Sequence, residues 1–165
     1  MTLTTHGIVG GAIASLLPTY PVFGLCLAFA SHFLLDAIPH LDYPIRSASV
    51  NPNIGARMRY DRALMADVVT IGGDAALGVV LAVALFAARG SPILVACGAG
   101  AAMLPDVLQF AYLRFPCEPL VSLQRFHCWI HTSRRMKRKP VLGVVSQLAF
   151  IAVFVIAARA AAALV

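Results

Sequence analysis

The sequence predicts an all-α integral membrane protein, a bundle of about four to five apolar helices in a single membrane domain over 1–165. Hydrophobic residues make up 60% of the 165 residues, and the mean hydropathy is +0.84. Charged residues make up 12%, whereas a soluble domain carries roughly 25%. This small number of charges cannot cover the surface of a soluble domain of this size. We therefore expect lipid to surround most of the protein.

Five apolar runs give the expected helices. The run 7–17 ends before Pro18 and is too short to cross a bilayer, which needs about 20 apolar residues, so it predicts a short or re-entrant helix. Pro105 predicts a kink or break near 102–105. The N-terminus has no basic stretch followed by a small-residue cleavage pattern, so no cleavable signal peptide is expected. The four longer runs are 22–38, 63–88, 93–114 and 141–164.

Two polar segments, 39–62 and 115–139, contain ten of the thirteen basic residues. They lie on the same side of the membrane if 63–88 and 93–114 both span it. By the positive-inside rule this side is cytoplasmic, which predicts a multi-pass protein of the cell inner membrane with its C-terminus outside. The net charge of +6 is therefore interpreted as a topology signal. The expected partner is the lipid bilayer, and no nucleic acid is expected.

Nearly all acids and histidines can be placed toward this same side of the predicted bundle. A random distribution would not leave the opposite side almost empty of them. The histidines are His6, His32, His40, His127 and His131, and the acids are Asp36, Asp42, Asp61, Asp67, Asp74, Asp106 and Glu118.

The pattern His32-x-x-x-Asp36-x-x-x-His40 predicts a metal site. Residues four apart lie on one helix face, and three polar groups on one face of an apolar helix need a shared partner. Imidazole with carboxylate suits zinc, manganese or iron. The four cysteines contain no Cys-x-x-Cys pair, so a thiolate zinc site is not expected.

Two deep aspartates and two later histidines have alternative interpretations. A carboxylate at the depth of Asp74 or Asp106 costs at least a few kcal/mol unless it is paired or binds metal. Each is either a metal ligand or a helix-packing or proton-relay group. His127 and His131 share the four-residue spacing, and they are either ligands or residues of the membrane interface.

The remaining acids have simpler interpretations. Asp42 and Asp61 are expected to be loop charges facing nearby arginines. Asp67 is expected to cap a helix or form a salt bridge near the interface. Glu118 lies between two prolines and is expected to be solvated.

Three short motifs resemble a known family. Thr5-His6-Gly7, the segment 31–36 (Ser-His-Phe-Leu-Leu-Asp) and Leu104-Pro105-Asp106 resemble the membrane-bound metal-dependent hydrolases. That family is similar to the all-helical zinc-dependent phospholipase C and single-strand nuclease superfamily. The segment 104–108 departs from the family pattern Pro-Asp-x-Asp-His, because it lacks the second acid and the histidine.

The resemblance implies a divalent metal cofactor, with zinc expected, held by histidine and aspartate. It implies that His6, His32, Asp36 and Asp106 are ligands, with His40, Asp74 and His131 as further candidates.

These observations predict a membrane-embedded metal-dependent hydrolase. Its expected substrate is a phosphoester or lipid-like molecule at the cytoplasmic leaflet. Asp36 or Asp74 would act as bridging ligand or general base. Two alternatives remain: a proton or divalent-ion transporter or channel lined by Asp74 and Asp106, and a non-catalytic membrane scaffold.

Overall fold

Six α-helices form most of the described chain, and five of them follow the apolar runs. The computed structural model describes residues 1–51, 55–89, 91–131, 140–161 and 163. The predicted basic run 134–139 lies outside these residues. The helices are α1 (Leu3–Leu16), α2 (Pro21–Asp36), α3 (Arg62–Phe86), α4 (Pro92–Arg114), α5 (Leu120–Ile130) and α6 (Pro140–Ala161).

Two elements lie in the segments predicted to be polar. Strands β1 (Ala48–Asn51) and β2 (Gly55–Met58) pair antiparallel as a small hairpin between α2 and α3. Helix α5 lies within 115–139, where the hydropathy pattern predicts no helix. The fold is otherwise helical, as predicted.

Within the described residues, three helices are long and apolar enough to cross a membrane. They are Arg62–Phe86, Pro92–Arg114 and Val141–Ala161. Helices α1 and α2 have 14 and 16 residues. At 1.5 Å per residue, α1 is about 21 Å long, well short of the roughly 30 Å hydrocarbon core. The N-terminal helix is therefore short, as predicted.

The helix starts follow from local sequence. Pro21 and Pro92 open α2 and α4, where proline is favoured because the first N–H of a helix has no intrahelical partner. Asp61 caps α3, and its carboxylate accepts a hydrogen bond from the Ala63 N–H at 2.9 Å. Helix α4 continues through Pro105, so the predicted break does not occur.

Helix α1 is the central element, and it packs against α2, α3, α4 and α6. Its backbone lies very close to that of α4. A Cβ atom added at Gly98 would lie 2.4 Å from the Ala14 Cβ and 2.6 Å from the Gly10 carbonyl oxygen. Small residues permit such close packing, which is a main source of helix association in membranes.

Asp74 of α3 binds the start of α1. Its carboxylate accepts hydrogen bonds from the Thr4 N–H at 2.8 Å and the Thr4 hydroxyl at 2.6 Å. It also accepts one from the Tyr43 hydroxyl, which in turn accepts from the Leu3 N–H. Burial and the hydrogen bond to Asp74 raise the pKa of Tyr43, so its hydroxyl keeps the proton it donates. Asp74 thus satisfies first-turn N–H groups that have no intrahelical partner.

Asp67 and Gln147 fix the segment that follows α2. The Asp67 carboxylate accepts from the Arg46 and Ser47 N–H groups at 2.9 and 2.8 Å, and from the Ser47 hydroxyl at 2.7 Å. Gln147 of α6 donates to the Leu41 carbonyl at 3.1 Å. Asp67 therefore does not cap a helix as predicted, because the N–H groups that it binds belong to the loop before β1.

We predict that Gly98→Ala lowers the unfolding free energy by about 1–3 kcal/mol, because the new methyl group overpacks the contact between α1 and α4. Gly100→Ala is the matched control, since a Cβ there meets no described atom within 4 Å and alanine favours a helix. Thermal unfolding of both variants in detergent measures the effect. Equal midpoints for the two variants would contradict the close packing.

Candidate metal centre

All five histidines and three of the acids come together at one end of α1 and α2. His6 lies near the start of α1, and His32 and Asp36 lie in the last turns of α2. Asp106 lies on α4, on the C-terminal side of Pro105. The segment after α2 contributes His40 and Asp42. Helix α5 contributes His127, and His131 directly follows that helix.

His40 joins this cluster in a different way from that predicted. The predicted helix 22–38 ends at Asp36, so His40 does not lie on the helix face of His32 and Asp36. The chain turns after the helix, and His40 Nδ1 lies 2.6 Å from the Ile38 carbonyl oxygen. This turn brings the ring back beside Asp36.

The Asp36 carboxylate is the centre of the cluster. Its Oδ2 lies 3.1 Å from His127 Nε2 and 3.3 Å from His32 Nε2. Its Oδ1 lies 3.2 Å from His6 Nε2 and 3.8 Å from His40 Nε2. Imidazole nitrogens therefore face both oxygens, and His131 Nε2 also lies 3.7 Å from Oδ2.

The first candidate metal group consists of His32, Asp36, Asp106 and His127, whose ligand atoms all lie within 4.8 Å of one another. The two Nε2 atoms of His32 and His127 are 3.4 Å apart. Asp106 Oδ1 lies 3.7 Å from His32 Nε2 and 4.0 Å from His127 Nε2. Four ligands around a tetrahedral zinc ion lie about 3.3–3.6 Å apart, given zinc–ligand distances of about 2.0–2.2 Å. The group has the residue types and approximate spacing of such a site.

The second candidate group consists of Asp36, His40 and His131, with Asp42 beside it. Asp42 Oδ1 lies 2.7 Å from His40 Nε2 and 3.8 Å from His131 Nε2. Asp42 thus places a second carboxylate beside the two imidazoles of this group.

The hydrogen bonds of two imidazoles fix which ring nitrogens face the centre as acceptors. His32 Nδ1 lies 2.8 Å from the Ala102 carbonyl oxygen, and His40 Nδ1 makes the contact with Ile38 described above. A carbonyl only accepts, so each Nδ1 carries a proton, and in the neutral ring Nε2 is a lone pair. Metal-binding histidines in proteins are usually oriented by this kind of outer hydrogen bond.

Pro105 lies near the contact made by His32. Ala102, whose carbonyl accepts from His32 Nδ1, is three residues before it in α4. The proline predicted to disturb α4 thus lies beside the point where α2 and α4 meet.

Two buried ring nitrogens lie close to a carboxylate oxygen without a hydrogen bond: His6 Nε2 is 3.2 Å from Asp36 Oδ1, and His40 Nε2 is 2.7 Å from Asp42 Oδ1. His6 Nδ1, His6 Nε2 and His40 Nε2 are buried and have no hydrogen-bond partner in the described part of the chain. A lone pair directed at a carboxylate oxygen needs a cation or a further proton between the two atoms. Buried orphan acceptors are costly, so histidine and aspartate in this arrangement fit a divalent cation.

The amino group of Met1 also contacts the cluster. It lies 2.8 Å from Asp36 Oδ1 and 3.3 Å from Asp42 Oδ1. These contacts lie on the Oδ1 side of Asp36, whereas the first candidate metal group uses the Oδ2 side.

The cluster is closed on one side and open on the other. His6, His32 and His40 are 0% exposed. The side chains of Asp106, His131 and Asp42 are 26%, 18% and 17% exposed. A small molecule would therefore reach the centre from the side of these three residues.

The structure brings together six of the seven predicted ligands: His6, His32, Asp36, His40, Asp106 and His131. It adds His127, which the sequence left open, and Asp42, which was expected to be a loop charge. The four-residue spacing of His127 and His131 was the available signal for α5. Asp74 belongs to neither candidate group, and its hydrogen bonds described above hold α1. Its predicted metal and catalytic roles stay predictions.

Comparisons with protein-family models, curated proteins and solved structures found no match to this chain.

We predict that His127→Ala strongly reduces binding of a divalent metal, because it removes a ligand from the first candidate group. His127 is 3% exposed, so the substitution also removes buried contacts, and the fold of the variant must be checked. Elemental analysis of the purified protein gives the metal content, and circular dichroism checks the fold. Asp61→Asn, at the exposed cap of α3, is the control and should bind as much metal as the wild type. Full metal content in a folded His127→Ala variant would exclude this site.

We predict that Asp74→Asn lowers the thermal unfolding midpoint while leaving the metal content unchanged. The amide weakens the charged cap of α1, and loss of a buried hydrogen-bond acceptor typically costs about 1–3 kcal/mol. Unfolding and elemental analysis on the same sample separate the two effects. Loss of metal with an unchanged midpoint would instead support the predicted ligand role of Asp74.

Proposed function

We propose that the chain is a membrane-embedded metal-dependent hydrolase that uses zinc and acts on a phosphoester of a lipid-like substrate at the cytoplasmic leaflet. The observation that carries this proposal is the shared position of Asp36 between two groups of imidazole ligands. Carboxylate-bridged pairs of divalent ions are a common arrangement for phosphoester hydrolysis. The motifs that resemble the membrane-bound metal-dependent hydrolases support the same reaction class.

Bound divalent ions would polarise a phosphoryl oxygen and make a water molecule more nucleophilic near neutral pH. The protein side chains hold and orient the reacting groups. His32, Asp36, Asp106 and His127 would bind one ion, and Asp36, His40 and His131 the second.

Asp36 was predicted to be either a bridging ligand or a general base. Of these two roles, it is better suited to that of bridging ligand. Both of its oxygens face imidazole nitrogens, so neither is free to take a proton from water. The more exposed carboxylate of Asp106 and the imidazole of His131 lie at the open side. Substrate would enter between them, and the buried His6 and His32 would exclude water from the other side.

The position of the site favours a substrate that resides in the membrane. The cluster is built by the ends of apolar helices and by the polar segments after α2 and around α5. Those segments also present exposed arginines, which supports a cytoplasmic position by the positive-inside rule. The exposed arginines in these segments include Arg46, Arg59, Arg62 and Arg125.

The distribution of buried polar residues weighs against the transporter alternative. Beyond His6, the buried residues of α1 are Gly7, Ile8, Val9, Gly10, Gly11, Ala12 and Ala14, and none of them carries a polar side chain. A proton or ion path would need polar groups through this half of the bundle.

We predict that the purified, zinc-loaded protein hydrolyses bis-p-nitrophenyl phosphate, a water-soluble phosphodiester, or a fluorogenic phospholipid. A chelator should reduce the rate to background, and added zinc should restore it. His127→Ala should lose the activity, whereas Asp61→Asn should keep it. Release of chromophore or fluorophore gives the rate. A rate that neither the chelator nor His127→Ala changes would refute the proposal.

A further inference from the structure

An apolar groove runs along the contact between α2 and α4. Its volume is about 330 Å³, at the lower end of the roughly 300–1,000 Å³ of ligand sites. Four of its residues recur at helical spacing on α2, and the other two lie on α4. The lining consists of Val22, Leu25, Cys26, Phe29, Ala101 and Leu104.

The α2 side of the groove leads toward the candidate metal centre. Val22, Phe29 and Asp36 are successively seven residues apart, so they lie on nearly the same face of the helix. Along α2, Val22 lies about 21 Å from Asp36 at 1.5 Å per residue. This length matches one leaflet of a bilayer, which is about 20–22 Å deep including its head groups.

A single aromatic layer separates the groove from the ligands. The Phe33 ring lies 5.6 Å from that of Phe29 in the groove. It also lies 5.4 Å from the His32 ring and 5.7 Å from the His127 ring. Packed aromatic rings therefore lead from the groove to the imidazoles through Phe33, which is itself buried. In α4, Leu104 of the groove is two residues from the partly exposed Asp106.

We propose that this groove binds one acyl chain of a bilayer phospholipid whose phosphate group lies at the metal centre. This inference rests on the proposed function and assigns its substrate class and a subsite for the chain. The argument is that the groove lies on the same side of α2 as Asp36, and that the distance from Val22 to Asp36 matches the depth of one leaflet, with the candidate metal centre at its end. Lipid tails contact any apolar helix face without preference. Binding of an acyl chain at a true subsite must therefore depend on the head group to which that chain is attached.

The test compares two tryptophan variants that differ in position. Cys26→Trp fills the groove from α2. Cys97→Trp is the matched control, because Cys97 is also a free, exposed cysteine in an apolar helix but does not line the groove. The probe is a phosphatidic acid with a photoreactive diazirine in one acyl chain, and a diacylglycerol with the same chain serves as the head-group control. Zinc-loaded protein in nanodiscs is irradiated, and mass spectrometry maps the labelled residues.

We expect the phosphatidic acid probe to label 22–29 and 101–104 several-fold more than the apolar surface of Val141–Ala161. The diacylglycerol probe should show no such excess. Cys26→Trp should abolish the excess, Cys97→Trp should keep it, and both variants should retain zinc.

Three results would overturn this inference: equal labelling of all apolar helices, an excess that does not depend on the phosphate, or an excess that persists in Cys26→Trp. Failure of the proposed function is detected separately, because it appears as absent zinc or as no hydrolysis of bis-p-nitrophenyl phosphate. That soluble substrate has no acyl chain and does not use the groove.

Discussion

The buried carboxylate of Asp36 is the constraint on which the structure depends. A charge at the end of an apolar helix, 1% exposed, is costly unless compensating groups surround it. Here imidazoles from α1, α2, α5 and the segment after α2 surround it, and a cation held between them and the carboxylate would supply the compensating charge. The compensation therefore requires elements far apart in sequence to meet at one point. The same requirement that stabilises the charge assembles the candidate metal centre.

A second constraint is the short central helix α1. A helix that does not reach across the bilayer must have its free N–H groups satisfied inside the protein. Asp74 accepts from Thr4, and Tyr43 accepts from Leu3, so one residue of α3 and one of the segment after α2 support the start of α1. The close backbone contact at Gly10 and Gly98 then holds α1 against α4. His6 is positioned for Asp36 by this packing.

The sequence alone predicts the helical class and much of the cluster, because hydropathy and the spacing of His32 and Asp36 are local signals. Other features depend on contacts that no local pattern encodes. The end of α2 at Asp36 makes His40 reach the centre through a turn. Asp42 was expected to be a loop charge, and its carboxylate lies 2.7 Å from His40 Nε2 in the cluster. Asp74 and Asp106 both lie inside apolar runs, so the sequence does not distinguish them. Only the packing shows that Asp74 caps α1 and that Asp106 belongs to a candidate metal group. Helix α5 is too polar to be detected by hydropathy, although it carries His127.

X-ray absorption spectroscopy of the zinc-loaded protein tests the central claim most directly. The account predicts a first shell of nitrogen and oxygen at about 2.0–2.1 Å, with the outer-shell scattering of at least two imidazoles. The imidazole signal should fall in His127→Ala. A first shell containing sulfur at about 2.3 Å would place the ion on the cysteines, and a shell without imidazole would place it outside the cluster. Either result would contradict a metal centre organised by Asp36.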